Sequence, residues 1–380
     1  MKLLAAVGDS NHVRTWSGIP YHLLQAARPL GVIDQGLPLD STARHWAMRR
    51  LAWNAQRWLR GKGKGGFQFS EAFLERLWRP ARDTVLGATI VNTFQLYPRS
   101  IVDDSTIRCW FYIDQTLRQL FEYYGVGASI GAAIRQSALD REAAGYRASA
   151  GVIAHSHWAA QSVIDDYGID PAKVHVVVPG ANLDPEIYTA WAAERAAADR
   201  PVWDNTLRLV FVGRDPQRKG LDRLIRGLLL AEAQGVRCTL SVVGATPDML
   251  PQELRRARSV RWLGLIDKGR QARQFFDVVA NHDVGCLLSR AEAGGIGLRE
   301  YHALGLAVIG PRTGGAPDHM LREAAIMVEP QASDRVVADA IARLWRDPRR
   351  VERMRALSWA RRAEFSWQHA ATQLGRILAD

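Results

Sequence analysis

The chain has 380 residues, 47% hydrophobic and 23% charged, with 50 Lys and Arg against 39 Asp and Glu and a formal net charge of +11 at pH 7. This balance excludes a disordered or low-complexity chain and is enough for two cores rather than one, while the charge points to acidic partners: nucleic acid, an anionic membrane surface or phosphorylated small molecules. Cys109, Cys238 and Cys286 are widely separated, which argues against a disulfide framework or a cysteine zinc site and fits a reducing cytosol.

In chain order, residues 3–7 form an apolar run ending at Gly8-Asp9, too short for a signal-peptide core and readable as a first buried strand. No stretch reaches the roughly 18 apolar residues of a spanning helix, so any membrane contact is expected to be peripheral. Trp16-Ser17-Gly18-Ile19-Pro20 then turns the chain into a helical stretch. Further on, Trp46, Arg50, Trp53, Arg57 and Arg60 fall at helical spacing, followed by the basic linker Gly61-Lys62-Gly63-Lys64-Gly65-Gly66. Two readings stay open here. Segment 46–64 is either a cationic, tryptophan-bearing helix lying on anionic lipid headgroups, or a surface helix whose tryptophans pack inward while its arginines are solvated.

Strands are predicted at 89–92, 109–113, 152–154 and 175–178, alternating with amphipathic helices. Asp114 closes the strand at 109–113, where it either accepts a hydroxyl or a proton from a ligand or caps the next helix. His155-Ser156-His157-Trp158 reads as a strand-to-helix turn with Ser156 as cap. Asp103-Asp104 and Asp165-Asp166 have no supporting ligands nearby in sequence, so no metal site is expected. The polar stretch between 182 and 206 marks a boundary, giving domains 1–190 and 191–366, with a closing helix 367–380 packing back on the first.

The second half repeats the alternation, with strands predicted at 207–212, 239–243, 284–288 and 307–309, and two doubly wound α/β domains facing across a cleft are the natural assembly. Arg214 and Lys219 lie in a cationic loop after 207–212, at the carboxyl edge of a parallel sheet, and are candidates for a diphosphate clamp. Arg218 beside them reads as a basic surface turn. Glu292 and Glu300 flank Ala293-Gly294-Gly295-Ile296-Gly297. Carboxylates accept sugar hydroxyls, and the N–H groups of Gly295 and Ile296 at a helix start receive phosphates, a combination that points to a nucleotide sugar. A dinucleotide fingerprint fails, because Glu300 stands where its third glycine belongs.

Phe211-Val212-Gly213-Arg214, Arg218-Lys219-Gly220, Val242-Val243-Gly244, Leu263-Gly264, Glu292 to Glu300, Gly305, Thr313-Gly314-Gly315 and Phe365-Ser366-Trp367, in that order, resemble the retaining GT-B glycosyltransferases of glycosyltransferase family 4. The resemblance implies a GT-B fold of two Rossmann-like domains. It implies that Glu292 contacts the transferred sugar, Glu300 the nucleoside ribose, Arg214 and Lys219 the diphosphate, and the backbone around Leu265 and Ile266 the nucleobase. It matches Gly18 to a small-residue loop approaching the diphosphate and puts Asp114 where many members carry an active-site His. It implies no metal or other cofactor. Ala293-Gly294-Gly295 departs from the usual Gly-Phe-Gly, Gly297 stands where Pro is common, and Gly244-Ala245-Thr246-Pro247 replaces a Gly-x-Gly-Pro turn, placing a Cβ where glycine would permit a left-handed conformation.

The expected function is retaining transfer of a sugar from a nucleotide-sugar donor to a hydroxyl of a glycan or lipid-linked acceptor, in bacterial surface-polysaccharide or glycolipid synthesis. The protein is expected to be cytoplasmic, with attachment to the inner face of the cytoplasmic membrane left open. The alternatives are a nucleotide-sugar isomerase or phosphorylase on the same fold, and a nonenzymatic basic membrane-surface protein. Nucleic acid is not expected, since neither RNP-type aromatic motifs nor repeated recognition helices are apparent.

Overall fold

The computed structural model describes residues 1–40, 44–59, 65–197 and 203–379. Residues 60–64 of the basic segment and 198–202 of the expected boundary stretch lie outside them. The chain divides into two compact units, Met1–Pro179 with Trp367–Asp380, and Gly180–Ser366.

The first unit holds a six-stranded parallel sheet of β1 (Lys2–Val7), β2 (Gln35–Leu39), β3 (Thr89–Asn92), β4 (Arg108–Ile113), β5 (Gly151–Ala154) and β6 (Val174–Val176), in the order β2-β1-β3-β4-β5-β6. The second holds β7 (Leu207–Val212), β8 (Cys238–Val243), β9 (Val260–Gly264), β10 (Val284–Cys286), β11 (Ala307–Pro311) and β12 (Ala325–Val328), also parallel, in the order β12-β11-β10-β7-β8-β9. Counted from β7, this is the 3-2-1-4-5-6 order of dinucleotide-binding folds. Parallel neighbours need crossovers, and helices covering both faces leave the strands as apolar runs: Leu3, Leu4 and Ala5 in β1, and Leu207, Leu209, Val210 and Phe211 in β7, are 0% exposed.

Three strands are absent from the sequence reading: β2, β9 and β12. All three are edge strands. β2 carries Pro38, opposite Ala6 in the register, and a proline is tolerated where one side of the strand has no ladder to complete.

The second unit begins at Gly180, whereas the sequence places its start at 191. Helix Pro185–Ala197 explains the difference. Its Trp191 is 2% exposed, packs on Phe276 at 5.7 Å between ring centroids, and donates its indole N–H to Asp277 at 2.8 Å, so the helix is part of the second core. The last helix, Trp367–Ala379, packs on Ile19–Ala27 in the first unit, where Gly375 admits Val32: a Cβ there would meet Val32 Cγ2 at 2.7 Å.

Within the first unit a fully buried carboxylate braces a helix. Glu142 accepts the N–H of Leu117 on both oxygens (2.9 and 3.0 Å) and the hydroxyls of Tyr146 (2.7 Å) and Tyr167. Burial pushes the Glu142 carboxyl up from 4.5 to about 8. The folded state therefore holds a proton that the unfolded chain releases. The resulting stability is fully present below about pH 4.5 and is lost as pH rises through about 8. Thermal melts from pH 5 to pH 9 should show the wild type losing stability relative to Glu142→Gln across that window. The buried His155 and His302, held down to about 3 by burial, act in the opposite sense but only below their ordinary value of 6.5. A constant difference between the two proteins would refute this role for Glu142.

Candidate functional site

β7 and β10 are neighbours, yet the chain leaves β7 towards β8 and β9 and leaves β10 towards β11 and β12. The loops following them therefore diverge at the carboxyl edge, which is where open α/β sheets form a ligand crevice. Here those loops are Gly213 to Gly220 and Leu287 to Gly295. They are stitched together by backbone bonds, from Leu288 N–H to Lys219 O (3.2 Å) and from Arg290 N–H to Arg218 O (2.8 Å). Gly220 makes the approach possible: its φ is +70°, and a Cβ would fall 2.0 Å from the Leu288 carbonyl oxygen.

Most arginines around this edge are committed. Arg290 pairs with Asp222 (2.9 and 2.8 Å), and Arg223 donates to the carbonyls of Leu288, Glu329 and Ala332. Arg218 bonds Asp215, the Ala291 carbonyl (3.1 Å) and Glu292 Oε2 (3.4 Å). Arg218 is thus no surface turn but a strut that aims Glu292. Arg214 and Lys219 differ. Arg214 is exposed and Lys219 half-buried, and neither side chain has a hydrogen bond or ion pair among the described residues. Lys219 lies along Gly213, where a Cβ would come within 2.6 Å of its Cδ. These two cations are available to an anion.

Glu292 sits in the β10 loop with its side chain 13% exposed, its Oε2 accepting from Ser289 Oγ at 2.9 Å and its carbonyl from the Gly315 N–H at 3.1 Å. Gly295 then turns the chain with φ +142° into the helix Ile296–Ala303, and a Cβ on it would strike Leu298 Cδ1 at 2.7 Å. The N–H groups of Ile296 and Gly297 open that helix without intrahelical acceptors, at its positive end. Tyr301 anchors the helix to the sheet. Its hydroxyl accepts the Val212 N–H at the end of β7 (2.8 Å) and donates to the Cys286 carbonyl at the end of β10 (3.4 Å). His302, 0% exposed, accepts the Leu321 N–H on Nε2 (3.1 Å) and stacks on Phe365 at 5.1 Å, which gives the closing Phe365-Ser366-Trp367 motif a packing role.

Glu300, on the same helix, is 3% exposed and is gripped through both oxygens by Lys268 Nζ at 2.5 Å. Lys268 also lies over the Phe275 ring, 4.6 Å from its centroid. The sequence reading omits Lys268, whose partner is 32 residues away. Its loop also carries Leu265, 59% exposed, and Ile266, buried at 7%. Ile266 belongs to the core, while Leu265 offers an uncovered apolar surface near the Lys268–Glu300 pair.

Two departures from the family pattern acquire reasons. A Cβ on Gly294 would lie 3.3 Å from the buried His319 ring, so an imidazole stands beside the position where an aromatic residue is usual. Thr246 has φ −120°, extended backbone open to any residue, and the left-handed position of that turn is Gly244 at +95°. The turn keeps the glycine it needs.

In the first unit, Gly18 has φ +84° and follows Trp16 (φ +39°) and Ser17 (φ +58°), three successive left-handed residues at the carboxyl end of β1. Such a conformation is costly for a tryptophan, by about 1–3 kcal/mol, and is held by packing. The Trp16 ring lies 5.3 Å from that of His155, which in turn lies 4.2 Å from Tyr112. Asp114 is half-buried at the end of β4. It is not the cap of the following helix, because Thr116 holds that place in a capping box with Gln119. Ser156 caps helix His157–Asp165, accepting the Ala159 N–H at 3.2 Å. No cluster of three or more potential metal ligands is present among the described residues.

Residues 206–347 match the family model of Glycosyl transferases group 1. A D-inositol 3-phosphate glycosyltransferase of Corynebacterium aurimucosum is 30% identical over 235 residues, covering 58% of this chain and 54% of that protein. The chain spans about half the length of the curated relatives it matches. Among solved structures, sucrose-phosphate synthase from Thermosynechococcus elongatus is similar at 18% identity with a TM-score of 0.69, over 100% of this chain and 98% of that one. Anabaena HepE in complex with UDP is similar at 16% identity with a TM-score of 0.67, over 100% of both chains. The fold is GT-B, as the residues led one to expect.

Proposed function

We propose that this chain, whose residues 206–347 match the family model of Glycosyl transferases group 1, moves a sugar from a nucleotide-sugar donor to a hydroxyl acceptor with retention at the anomeric carbon. The observation that carries the reading is the pair of uncommitted cations, Arg214 and Lys219, at the β7/β10 crevice beside a helix start and two carboxylates. HepE, whose fold this chain shares, was solved with UDP, which supports a nucleoside diphosphate as the ligand class.

In this reading the diphosphate lies between Arg214, Lys219 and the N–H groups that open helix Ile296–Ala303, and Glu300 accepts the ribose hydroxyls. Glu292, aimed by Arg218 and Ser289, accepts hydroxyls of the transferred sugar. The bond from the anomeric carbon to the diphosphate oxygen breaks, and the acceptor oxygen bonds to that carbon from the same face. The acceptor proton goes to the departing phosphate. Charge grows on the diphosphate as the bond breaks, so fixed cations there stabilise the transition state more than the ground state. Gly18 and Asp114 are the first unit's candidates, for the diphosphate and the acceptor hydroxyl respectively. A glycan or lipid-linked acceptor, in surface-polysaccharide or glycolipid synthesis on the cytoplasmic side, fits this chemistry.

A thermal-shift screen across UDP-, GDP- and ADP-sugars should find one donor that stabilises the protein, and incubating that donor with acceptor extracts should yield a glycosylated product. Conversion of donor without such a product favours an isomerase or phosphorylase, and no stabilisation by any donor removes the reading. Because the two cations take the role a divalent ion fills elsewhere, turnover is expected to survive chelation with EDTA unchanged. Activity lost to EDTA and restored by magnesium would contradict that assignment.

A further inference from the structure

The segment singled out at 46–64 has no part in donor chemistry, and in its described residues, 46–59, the tryptophans pack inward, as one of its two readings has it. Helix Arg44–Leu59 turns its tryptophans inward. Trp46 is 8% exposed and packs on Phe73 at 5.0 Å, Trp53 lies 5.8 Å from Phe67, and their indole N–H groups donate to the carbonyls of Asp40 and Gly65. Arg57 covers the Trp53 ring at 5.0 Å, so Trp46, Trp53 and Arg57 mark the packed side of the helix, while Arg50 is exposed.

The opposite side is apolar. Met48, Leu51, Trp58 and Leu59 are exposed by 72, 69, 65 and 77%, and the alanines at 47, 52 and 55 between them are exposed as well. At 3.6 residues per turn these positions form one face, and none of the charged residues between Ala47 and Leu59, namely Arg49, Arg50 and Arg57, falls on it.

Beside this helix lie two cavities that share Ala72 and Arg76. One, of about 390 Å³, is lined by Trp46, Arg49, Trp53 and Phe67; the other, of about 330 Å³, has Trp78 and Ile101 in its lining together with Arg79 and Arg82. Arg49, Arg76 and Arg79 have no side-chain hydrogen bond or ion pair among the described residues, and Arg82 acts on Asp104 only through space. Glu75, in the second cavity, is held by the Ser100 N–H (3.1 Å) and hydroxyl (2.6 Å) and forms no ion pair with these arginines.

We propose that this face of the first unit docks on an anionic phospholipid surface, with Met48, Leu51, Trp58 and Leu59 entering the headgroup boundary and Arg49, Arg76, Arg79 and Arg82 receiving lipid phosphates. An apolar face flanked by unpaired cations matches the two chemistries of a bilayer interface. A second copy of the chain would set like-charged arginine rows against each other. A nucleic acid would satisfy the arginines but leave Met48, Leu51 and Leu59 in water. Sixteen residues are too few to cross a bilayer, so the helix lies in the interface plane. The inference is independent of the donor reading.

Sedimentation of the full chain with vesicles tests it. Binding is expected to mixed phosphatidylglycerol and phosphatidylcholine vesicles and not to phosphatidylcholine alone. It should fall by about tenfold or more both in Leu51→Gln/Trp58→Gln and in Arg76→Ala/Arg79→Ala/Arg82→Ala, with thermal midpoints unchanged because these side chains are exposed. Failure of the wild type to bind anionic vesicles, or binding that neither variant weakens, overturns the proposal. So does a concentration-dependent dimer in size-exclusion chromatography that Leu51→Gln/Trp58→Gln abolishes, which would assign the face to a second copy.

Discussion

Replacing Lys219 by methionine is expected to lower kcat/KM for the donor by about 10²–10³-fold, the loss seen when one fixed donor to a developing oxyanion is removed. Methionine is the informative substitution because the stem of Lys219 fills space over Gly213, and an alanine would mix lost packing with lost charge. The Lys219 ammonium has no partner among the described residues, so its removal orphans no buried group there and the thermal midpoint should hold. Arg214→Ala should act in the same direction. Its guanidinium is exposed, so its field is more screened and its share smaller. Steady-state kinetics with the stabilising donor provide the check, and an unchanged kcat/KM in Lys219→Met would remove the diphosphate clamp from the account.

The second large effect is expected at Glu300, with Lys268 as its signature. Glu300→Gln should raise the donor KM by about tenfold to a hundredfold, since an amide accepts the ribose hydroxyls on only one atom and turns its other end on them as a donor. kcat should change less. Lys268→Met should move KM in the same direction by leaving a buried carboxylate without its cation. Lys268 is 37% exposed on its side chain, which keeps the cost nearer that of a surface pair, about 1 kcal/mol, than that of a buried one. The double variant should then lose less than the sum of the single losses, because the two groups act as one unit. Partial recovery in Lys268→Arg would separate a charge effect from a packing effect. A Glu300→Gln enzyme with unaltered KM would show that the ribose is held elsewhere.

What the sequence reveals follows from what each residue touches. β1, β3, β4 and β5, and likewise β7, β8, β10 and β11, are legible because helices on both faces leave them as apolar runs. β2, β9 and β12 are not, since an edge strand needs neither that burial nor a full ladder: β2 tolerates Pro38, and β9 leaves Arg261 exposed with Trp262 and Leu263 only half-covered.

The placement of Glu292, Glu300, Arg214 and Lys219 at or beside the β7/β10 edge is legible because each lies close in sequence to the loop or helix start that carries it. Lys268 is not, because its role appears only when the loop after β9 meets a helix 32 positions later. Arg218 is misread for the same reason: locally it pairs with Asp215, and its bond to Glu292 spans 74 positions. Helix Arg44–Leu59 adds a further lesson. Trp46, Trp53 and Arg57 share a stripe by spacing, but spacing does not say which stripe faces a core, and the aromatic neighbours Phe67 and Phe73 settle that.

The most direct test of sugar transfer with retention needs no knowledge of the acceptor. Given a stabilising nucleotide sugar and no acceptor, a transferase releases sugar slowly to water, and proton NMR reads the anomer that appears before mutarotation. The account predicts release of the anomer with the donor's own configuration, at a rate that Lys219→Met reduces. Release of the opposite anomer, or a donor left intact by a protein that binds it, would contradict it.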